Sequence, residues 1–448
     1  MKAMPARSTL ATFGPAALAV AAALASAPVA HGAAFEAPRT FQASAILKPA
    51  QVKGPHFTVA PTVKTEGYFY IFNITTDYGP LEAEGKDMLL LRLNEIGALA
   101  QLDEVSKSGV FLAAAGNSVL NVGKGVASAV KDPEATVKGV GGGLKRFGSN
   151  LGRKAKRAGD EAADAVSSDG DKKAEGQDKS TTDKAAAAGT GMAYSVLGVS
   201  KSGRKWAQKV GADPYTTNPI LKKALTDIGQ IDAAGGIAAK VVVPIPMVVS
   251  GTATVGNLVW SKDPEELLKM NEAKLQKMGV GADAIKKLYV SKGFTLSLYT
   301  RLAAALGEVN VPGCADYVAT AAEAVTEREA DFFVESSGML ERFHKTTPVV
   351  ALLPDSRALV AKTKDARAVV LLPVDWVSWT EAYEKALTEV AKRAKEELGA
   401  RKLELRMTGT MSAEAKKETA ARGWEVVENV PSTIEDLLAN AAKAKTTK

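Results

Sequence analysis

The sequence predicts an α+β protein that is predominantly α-helical, with a small N-terminal antiparallel β element, a central helical array and a small C-terminal α/β layer. Three observations carry that expectation. Tyr68–Thr75 is an aromatic and β-branched run bounded by Gly67 and by Asp77-Tyr-Gly-Pro, the pattern of a strand between turns. From Asn218-Pro219 to His344 helical signals follow one another, opened at Asn218-Pro219 and Asp263-Pro264 by a capping residue and a first-turn proline. After residue 347 the pattern alternates strand, helix, strand, helix, strand, which predicts partly parallel pairing.

The chain begins with the three parts of a secretory leader. Lys2 and Arg7 supply a positive region, Leu10–Ala30 is apolar and alanine-rich, and small residues place cleavage after Gly32 or Ala34. Gly14, Pro15 and Pro28 interrupt the run, which argues against a retained anchor. Residues 1–32 are therefore expected to be a signal peptide and the protein to be exported, to a periplasm in a Gram-negative source. The single cysteine, Cys314, rules out an internal disulfide. With His31 in the leader, His56 and His344 are the remaining histidines, too few for a histidine-based metal site.

Residues 33–100 read as a β-meander plus a helix. The chain to about residue 55 is expected to be extended and mobile, with strands at His56–Ala60, Tyr68–Thr75 and Leu81–Glu84. Asp87 is the expected N-cap of a buried helix from Met88 to about Leu99. Residues 101–158 read as a small-residue helix over Asp103–Val130, a restart at Asp132-Pro133, and a basic stretch. Wound as a helix, Val137, Val140, Leu144, Phe147 and Leu151 fall within an arc of about 80°, opposite Lys138, Lys145, Arg146, Arg153, Lys154, Lys156 and Arg157. No Asp or Glu occurs between Glu134 and Asp160. This is a basic amphipathic pattern suited to an anionic membrane surface. Its six glycines, at about 1 kcal/mol each, mean that it needs a surface to form on, either the rest of the protein, on which its apolar stripe docks it as a surface helix, or lipid.

Residues 159–191 are polar, charged and small, with no aromatic between Phe147 and Tyr194, and read as a disordered linker. A helical domain is expected over 192–346. Asp213-Pro-Tyr-Thr-Thr-Asn-Pro reads as a structural turn in which Asn218 caps and Pro219 opens a helix to about Ile231, with a ligand contact by the hydroxyls of Tyr215, Thr216 and Thr217 as the alternative. Val241–Trp260 holds no charge. It reads as buried helices broken by Pro244, Pro246, Gly251 and Gly256, with a membrane-inserting hairpin over 233–260 as the rival. Helices follow at Asp263–Met278, Asp283–Val290 and Thr295–Leu306, and one long helix over Cys314–His344.

The α/β domain covers 347–448. Val349–Leu353 and Ala358–Thr363 form a hairpin around Pro354-Asp-Ser-Arg, and Ala368–Val374 is a strand. Thr380 caps a helix to about Leu398, Leu403–Thr408 is a strand, Ser412 caps a helix to about Arg422, Trp424–Val430 is a strand, and a last helix starts at Ile434. The turn Thr408-Gly409-Thr410-Met411-Ser412, with Asp375 after the neighbouring strand, is the candidate ligand turn, because a helix N-terminus at a strand end favours anions.

No zinc-protease, paired-cysteine, phosphate-loop or nucleophile-elbow motif is present. No catalytic residue, metal or cofactor is expected. The net charge of +7 falls to +5 without Lys2 and Arg7, and the seven cations of the basic stretch exceed that remainder. The charge is local and lacks stacking aromatics, so nucleic acid is not expected as a partner. The sequence leans away from an enzyme. It predicts an exported, non-catalytic envelope protein with an interaction or scaffolding role, whose partner is an anionic membrane surface or an envelope protein. The alternatives are an enzyme or small-anion-binding protein using the C-terminal domain, and a membrane-inserting protein using 233–260.

Overall fold

In the computed structural model, residues 34–107, 199–235 and 253–436 are described, and the structural statements below concern these. They combine helix and sheet, with one sheet in the N-terminal region and one in the C-terminal region. From Glu36 onward they belong to a single compact unit.

The N-terminal sheet is built around the strand that the aromatic run predicts. β5 (Phe69–Thr76) buries Phe69, Tyr70, Phe72 and Ile74 and pairs on one side with β6 (Gly79–Glu84). On its other side lie β3 (Phe57–Val59) and β4 (Thr62–Glu66), both antiparallel to it. Their registers differ by two residues, so the two line one side of β5 with a bulge at Ala60-Pro61. Proline is tolerated there because a bulge asks for no ladder donor. Ala60 still donates to the Asn73 carbonyl at 2.8 Å, and the Pro61 carbonyl accepts from Ala43 at 2.8 Å.

The stretch expected to be extended before residue 55 is instead folded. It forms β1 (Thr40–Gln42), the helical turns α1 (Ala43–Ile46) and α2 (Pro49–Val52), and β2 (Lys53–Gly54). The physical reason is apolar anchoring, with Ala43 and Leu47 buried in the core and Phe41 edge-on to Tyr70 and Trp376.

α3 (Lys86–Ser106) packs on β5 and β6. It runs longer than the expected Met88–Leu99 and starts earlier. Asp87 is not its cap: Gly85 holds that position at φ 96°, and the carboxylate of Asp375 accepts from the Lys86 amide at 3.1 Å. A Cβ on Gly85 would lie 2.9 Å from the Arg328 guanidinium, so positive φ and close approach both ask for glycine. One hydrophobic core joins this sheet (Phe72, Ile74) and α3 (Leu89, Ile96) to α4 (Lys201–Lys209) and α5 (Pro219–Gly235), through Trp206, Leu221 and Leu225.

α5 opens as expected, with the Asn218 Oδ1 accepting from the amides of Ile220 at 3.0 Å and Leu221 at 3.3 Å. Residues 236–252 lie outside the described residues. The segment resumes as α6 (Ala253–Ser261), where Val255, Val259 and Trp260 are buried and the Trp260 indole donates to the Ala212 carbonyl at 2.9 Å. Among the described residues no helix is long and apolar enough to cross a membrane. The expected small-residue helix beyond Lys107, the basic stretch and the linker also lie outside them.

α7 (Pro264–Lys277), α8 (Ala282–Val290) and α9 (Leu296–Val309) follow the expected order. The expected helix over Cys314–His344 is two, α10 (Cys314–Ala321) and α11 (Glu327–Thr346). Thr326 starts the second by accepting from the Glu329 amide, while Glu329 accepts from the Val325 amide at 2.8 Å. Both bonds satisfy amides at the start of α11, so the chain turns into a new helix here.

In the C-terminal sheet, β7 (Val349–Leu352), β8 (Leu359–Thr363) and β9 (Arg367–Leu372) are antiparallel neighbours. β9, β11 (Lys402–Met407) and β13 (Trp424–Val427) are parallel, giving the order β13-β11-β9-β8-β7. α11 lies against β8 and β9, and α12 (Glu381–Glu396) covers Val370 and Leu405. Ala368–Leu371 are accordingly buried without alternation, as in a sheet covered on both faces. A second, two-stranded parallel sheet pairs β10 (Trp376–Val377) with β12 (Thr410–Met411), just before α13 (Ala413–Ala421).

Candidate functional site

The densest polar chemistry among the described residues lies where the Asp213–Asn218 loop meets α3, α9 and α11. Proline at 214 and 219 confines the loop, and its side chains then close on themselves. The Asp213 Oδ1 accepts from the Tyr215 amide at 2.8 Å and from the Ser297 hydroxyl at 2.6 Å, which ties the loop to α9. The Asn218 amide donates to the Thr216 Oγ1 at 3.0 Å, and Thr216 in turn donates to Glu95 on α3. The Asn218 Nδ2 donates to the other Glu95 oxygen at 3.0 Å.

Arg92 lies one helical turn from Glu95 and bonds it at 2.8 Å, then reaches Thr217 at 2.9 Å and Glu327 of α11 at 3.2 Å. The Thr217 hydroxyl sits 2.6 Å from both Glu327 oxygens. Glu95 and Asn218 are each 1% exposed, so these pairs are made away from water, where an unpaired member is costly. A cavity of about 20 Å³ lies among Glu95, Asp213, Thr216, Thr217, Glu327 and Asp331, room for about one water.

α11 extends the network. Asp331 is 3.2 Å from Arg328 and 3.6 Å from Arg301 of α9, and Glu335 is 3.1 Å from Arg301 and 3.6 Å from Arg342. Glu335 also accepts from the Thr433 amide at 2.5 Å. Helices α3, α9 and α11, the loop, and the chain's last described turn are thereby cross-tied by buried charge.

Burial sets the proton chemistry. It pushes the Asp213 carboxyl from its ordinary 3.8 up to about 6, with Glu95 raising it further and Ser297, the Tyr215 amide and Arg301 lowering it. Glu327 is raised by burial against the lowering effect of Arg92. Asp87 is raised by burial and by the neighbouring Glu335. Burial thus favours the neutral form of each of these three carboxyls. Among the described residues no group of three or more His, Cys, Asp or Glu is placed to hold a metal ion.

The candidate ligand turn is brought together, and its polar groups are turned inward. Thr408 donates its hydroxyl to the Val374 carbonyl at 2.9 Å. The Thr410 amide bonds the Asp375 carbonyl at 3.0 Å, and the Ser412 amide bonds the Val377 carbonyl at 2.9 Å. The Ser412 hydroxyl accepts from the Ala415 amide at 2.9 Å, capping α13 as expected, and donates to Glu36. The Asp375 carboxylate accepts from the Tyr70 amide at 2.9 Å and from Lys86 at the start of α3, so it closes a junction between the two sheet regions. The seven basic residues from Lys138 to Arg157 lie outside the described residues.

Cys314 is buried at the start of α10, and burial pushes its thiol up against the lowering effect of a backbone hydrogen bond at Val311. His344 accepts from the Val349 amide at 3.1 Å.

Sequence reasoning singled out the Asp213–Asn218 loop but missed its partners on α3, α9 and α11. A signal exists for one of them. Arg92 and Glu95 are charged residues, three apart, inside an apolar helical run, a spacing at which they pair on one face. Comparison of the chain with models of protein families, with curated proteins and with solved structures finds no match.

Proposed function

We propose that this protein is an exported, non-catalytic envelope protein with an interaction or scaffolding role, and that its basic stretch contacts an anionic membrane surface. The observation that carries the reading is where the segment 108–198 joins the body. Leu102 and Val105, in the last turns of α3, and Val199, just before α4, are buried in one hydrophobic core with Trp206 and Leu221. Both ends of the segment are therefore held on one support, and Lys138, Lys145, Arg146, Arg153, Lys154, Lys156 and Arg157 lie between them. The support is cross-tied by the Arg92–Glu95–Glu327 and Arg301–Asp331–Glu335 groups. Buried ion pairs of this kind favour one arrangement over others more than they add stability. In this reading the N-terminal antiparallel sheet and the C-terminal α/β layer brace a central helical array, and the insert does the recognising.

Cosedimentation of the mature chain with phosphatidylserine-containing vesicles tests it. Binding is expected at low salt and is expected to fall as salt screens the cations. The double substitution Lys145→Glu and Arg146→Glu should abolish it while leaving the thermal unfolding of the body unchanged. Binding that ignores both salt and the substitutions would sink the proposal.

A further inference from the structure

A second feature does not depend on the membrane reading. It lies where two turns of the N-terminal sheet meet the last turns of α3. β3 pairs with β5 in a register that sets Phe57 opposite Thr76, so the next residues, His56 and Asp77, are neighbours at the end of the ladder. The Asp77 amide donates to the His56 carbonyl at 3.1 Å, and the His56 Nδ1 donates to the Asp77 carboxylate at 2.8 Å. A carboxylate only accepts, so Nδ1 carries the proton, and in the neutral imidazole Nε2 is left as an acceptor. Asp103 and Glu104 line the same space from α3, one helical turn before Lys107.

The cavity measures about 370 Å³, the size of a small-molecule cleft. His56, Asp77, Glu104 and Lys107 are exposed at its mouth, and Tyr78, Leu102 and Ala224 are buried behind them. Tyr78 is 8% exposed, its ring lies 5.9 Å from that of His56, and its hydroxyl has no hydrogen-bond partner among the described residues. Burial first, then the carboxylates of Asp103, Asp77 and Glu104, push that hydroxyl up to about 12. It therefore stays neutral, faces three carboxylates and is open to accept from a cationic donor. Three carboxylates face one lysine ammonium, an excess of two negative charges. Lys107 lies 2.6 Å from Asp103 and 3.7 Å from Glu104, but it is exposed and such pairs along a helix surface are weak. Among the described residues no three of these donors converge as a metal ion needs. Charges spread along a cleft suit an extended cation instead, with Leu102 and Ala224 offering its methylenes an apolar surface and the Tyr78 ring attracting its charge. We infer that this cleft binds a small aliphatic diamine as its dication, the ammonium groups on the Asp77, Asp103 and Glu104 carboxylates and the Tyr78 hydroxyl, the methylene chain over Leu102 and Ala224.

The test is titration of the full chain with 1,4-diaminobutane at neutral pH and constant ionic strength, followed by amide chemical shifts. Saturable shifts are expected, confined to the surroundings of Asp77, Tyr78, Asp103, Glu104 and Ala224. 1,4-Butanediol, of equal length and without charge, should bind at least about tenfold more weakly. Tyr78→Phe keeps the ring and removes only the hydroxyl, and Asp103→Asn removes one carboxylate charge. Each should weaken diamine binding by about tenfold. Unchanged binding in either variant that still unfolds cooperatively overturns the inference, as does equal binding of the diol. Magnesium chloride that moves the same amides as far would also overturn it, by marking a diffuse layer of counterions. Should neither variant fold, the unsubstituted chain decides: shifts confined to the cleft and absent with magnesium support the inference, and shifts spread over other acidic surfaces overturn it.

Discussion

Asp213 is a carboxylic acid that folding makes weaker. Its proton is held more tightly in the folded chain, up to about 6, than in the unfolded chain near 3.8. The folded state therefore binds more protons between those values, and stability from this group is full below about 4 and is lost as pH rises through about 6. The difference amounts to about 3 kcal/mol. Asp213→Asn keeps acceptors for the Tyr215 amide and Ser297 and removes the ionisation. Urea unfolding at pH 4.5, 5.5 and 7 should show the variant more stable than the parent at pH 7, with a flatter dependence below it. Parallel profiles for the two proteins would contradict this. Arg92 supplies a second prediction at this scale. Arg92→Met leaves Glu95 buried without its cation and should cost about 3–5 kcal/mol, read as a fall in the unfolding midpoint. Adding Glu95→Gln should restore part of the loss. Asn218 and Ser412 were legible as caps because a cap is a local event within three residues. Glu327, Asp331 and Glu335 were not, since a buried charge has no mark in the sequence until its partner, here Arg92 or Arg301, is brought across from another helix.

Between elements, the junction at Gly409 is tighter than any turn rule predicts. A Cβ there would meet the Asp375 carbonyl at 1.9 Å, and backbone cannot yield as a side-chain end can. Gly409→Ala should therefore part β10 from β12 and cost about 3 kcal/mol, measured by chemical denaturation. Slower hydrogen exchange than in the parent at Thr410 and Ser412 would argue against it. Partly parallel pairing in the C-terminal region was readable from the alternation of strand and helix, whereas the order of the strands was not. The break between α10 and α11 was also written in the chain, as Thr326 followed three residues later by Glu329. An apolar pattern running through Phe332 and Phe333 conceals it. The cap of α3 was not readable at all. Asp87 stands in the right place locally, but Asp375 wins because it reaches the Tyr70 and Lys86 amides at once.

For the whole molecule, α3, α4 and α5 share one core that holds both ends of the segment 108–198, which makes removal of that segment a test of the proposed reading. Replacing it with a flexible Gly/Ser linker of about 12 residues, with a mean span of about 20 Å, should leave the melting temperature within a few degrees and remove vesicle binding. A body that fails to fold would show that the segment contributes to the core. The bond from Lys86 to Asp375 carries a separate consequence. It spans 289 residues, and the one from Ser412 to Glu36 spans 376. Contacts of that sequence separation form late, because a long loop must close first. A chain emerging N-terminus first has no residue with which to complete α3 until most of its length is made. These two closures, the cap of α3 and the anchor of Ser412, are therefore among the last contacts of the fold to form.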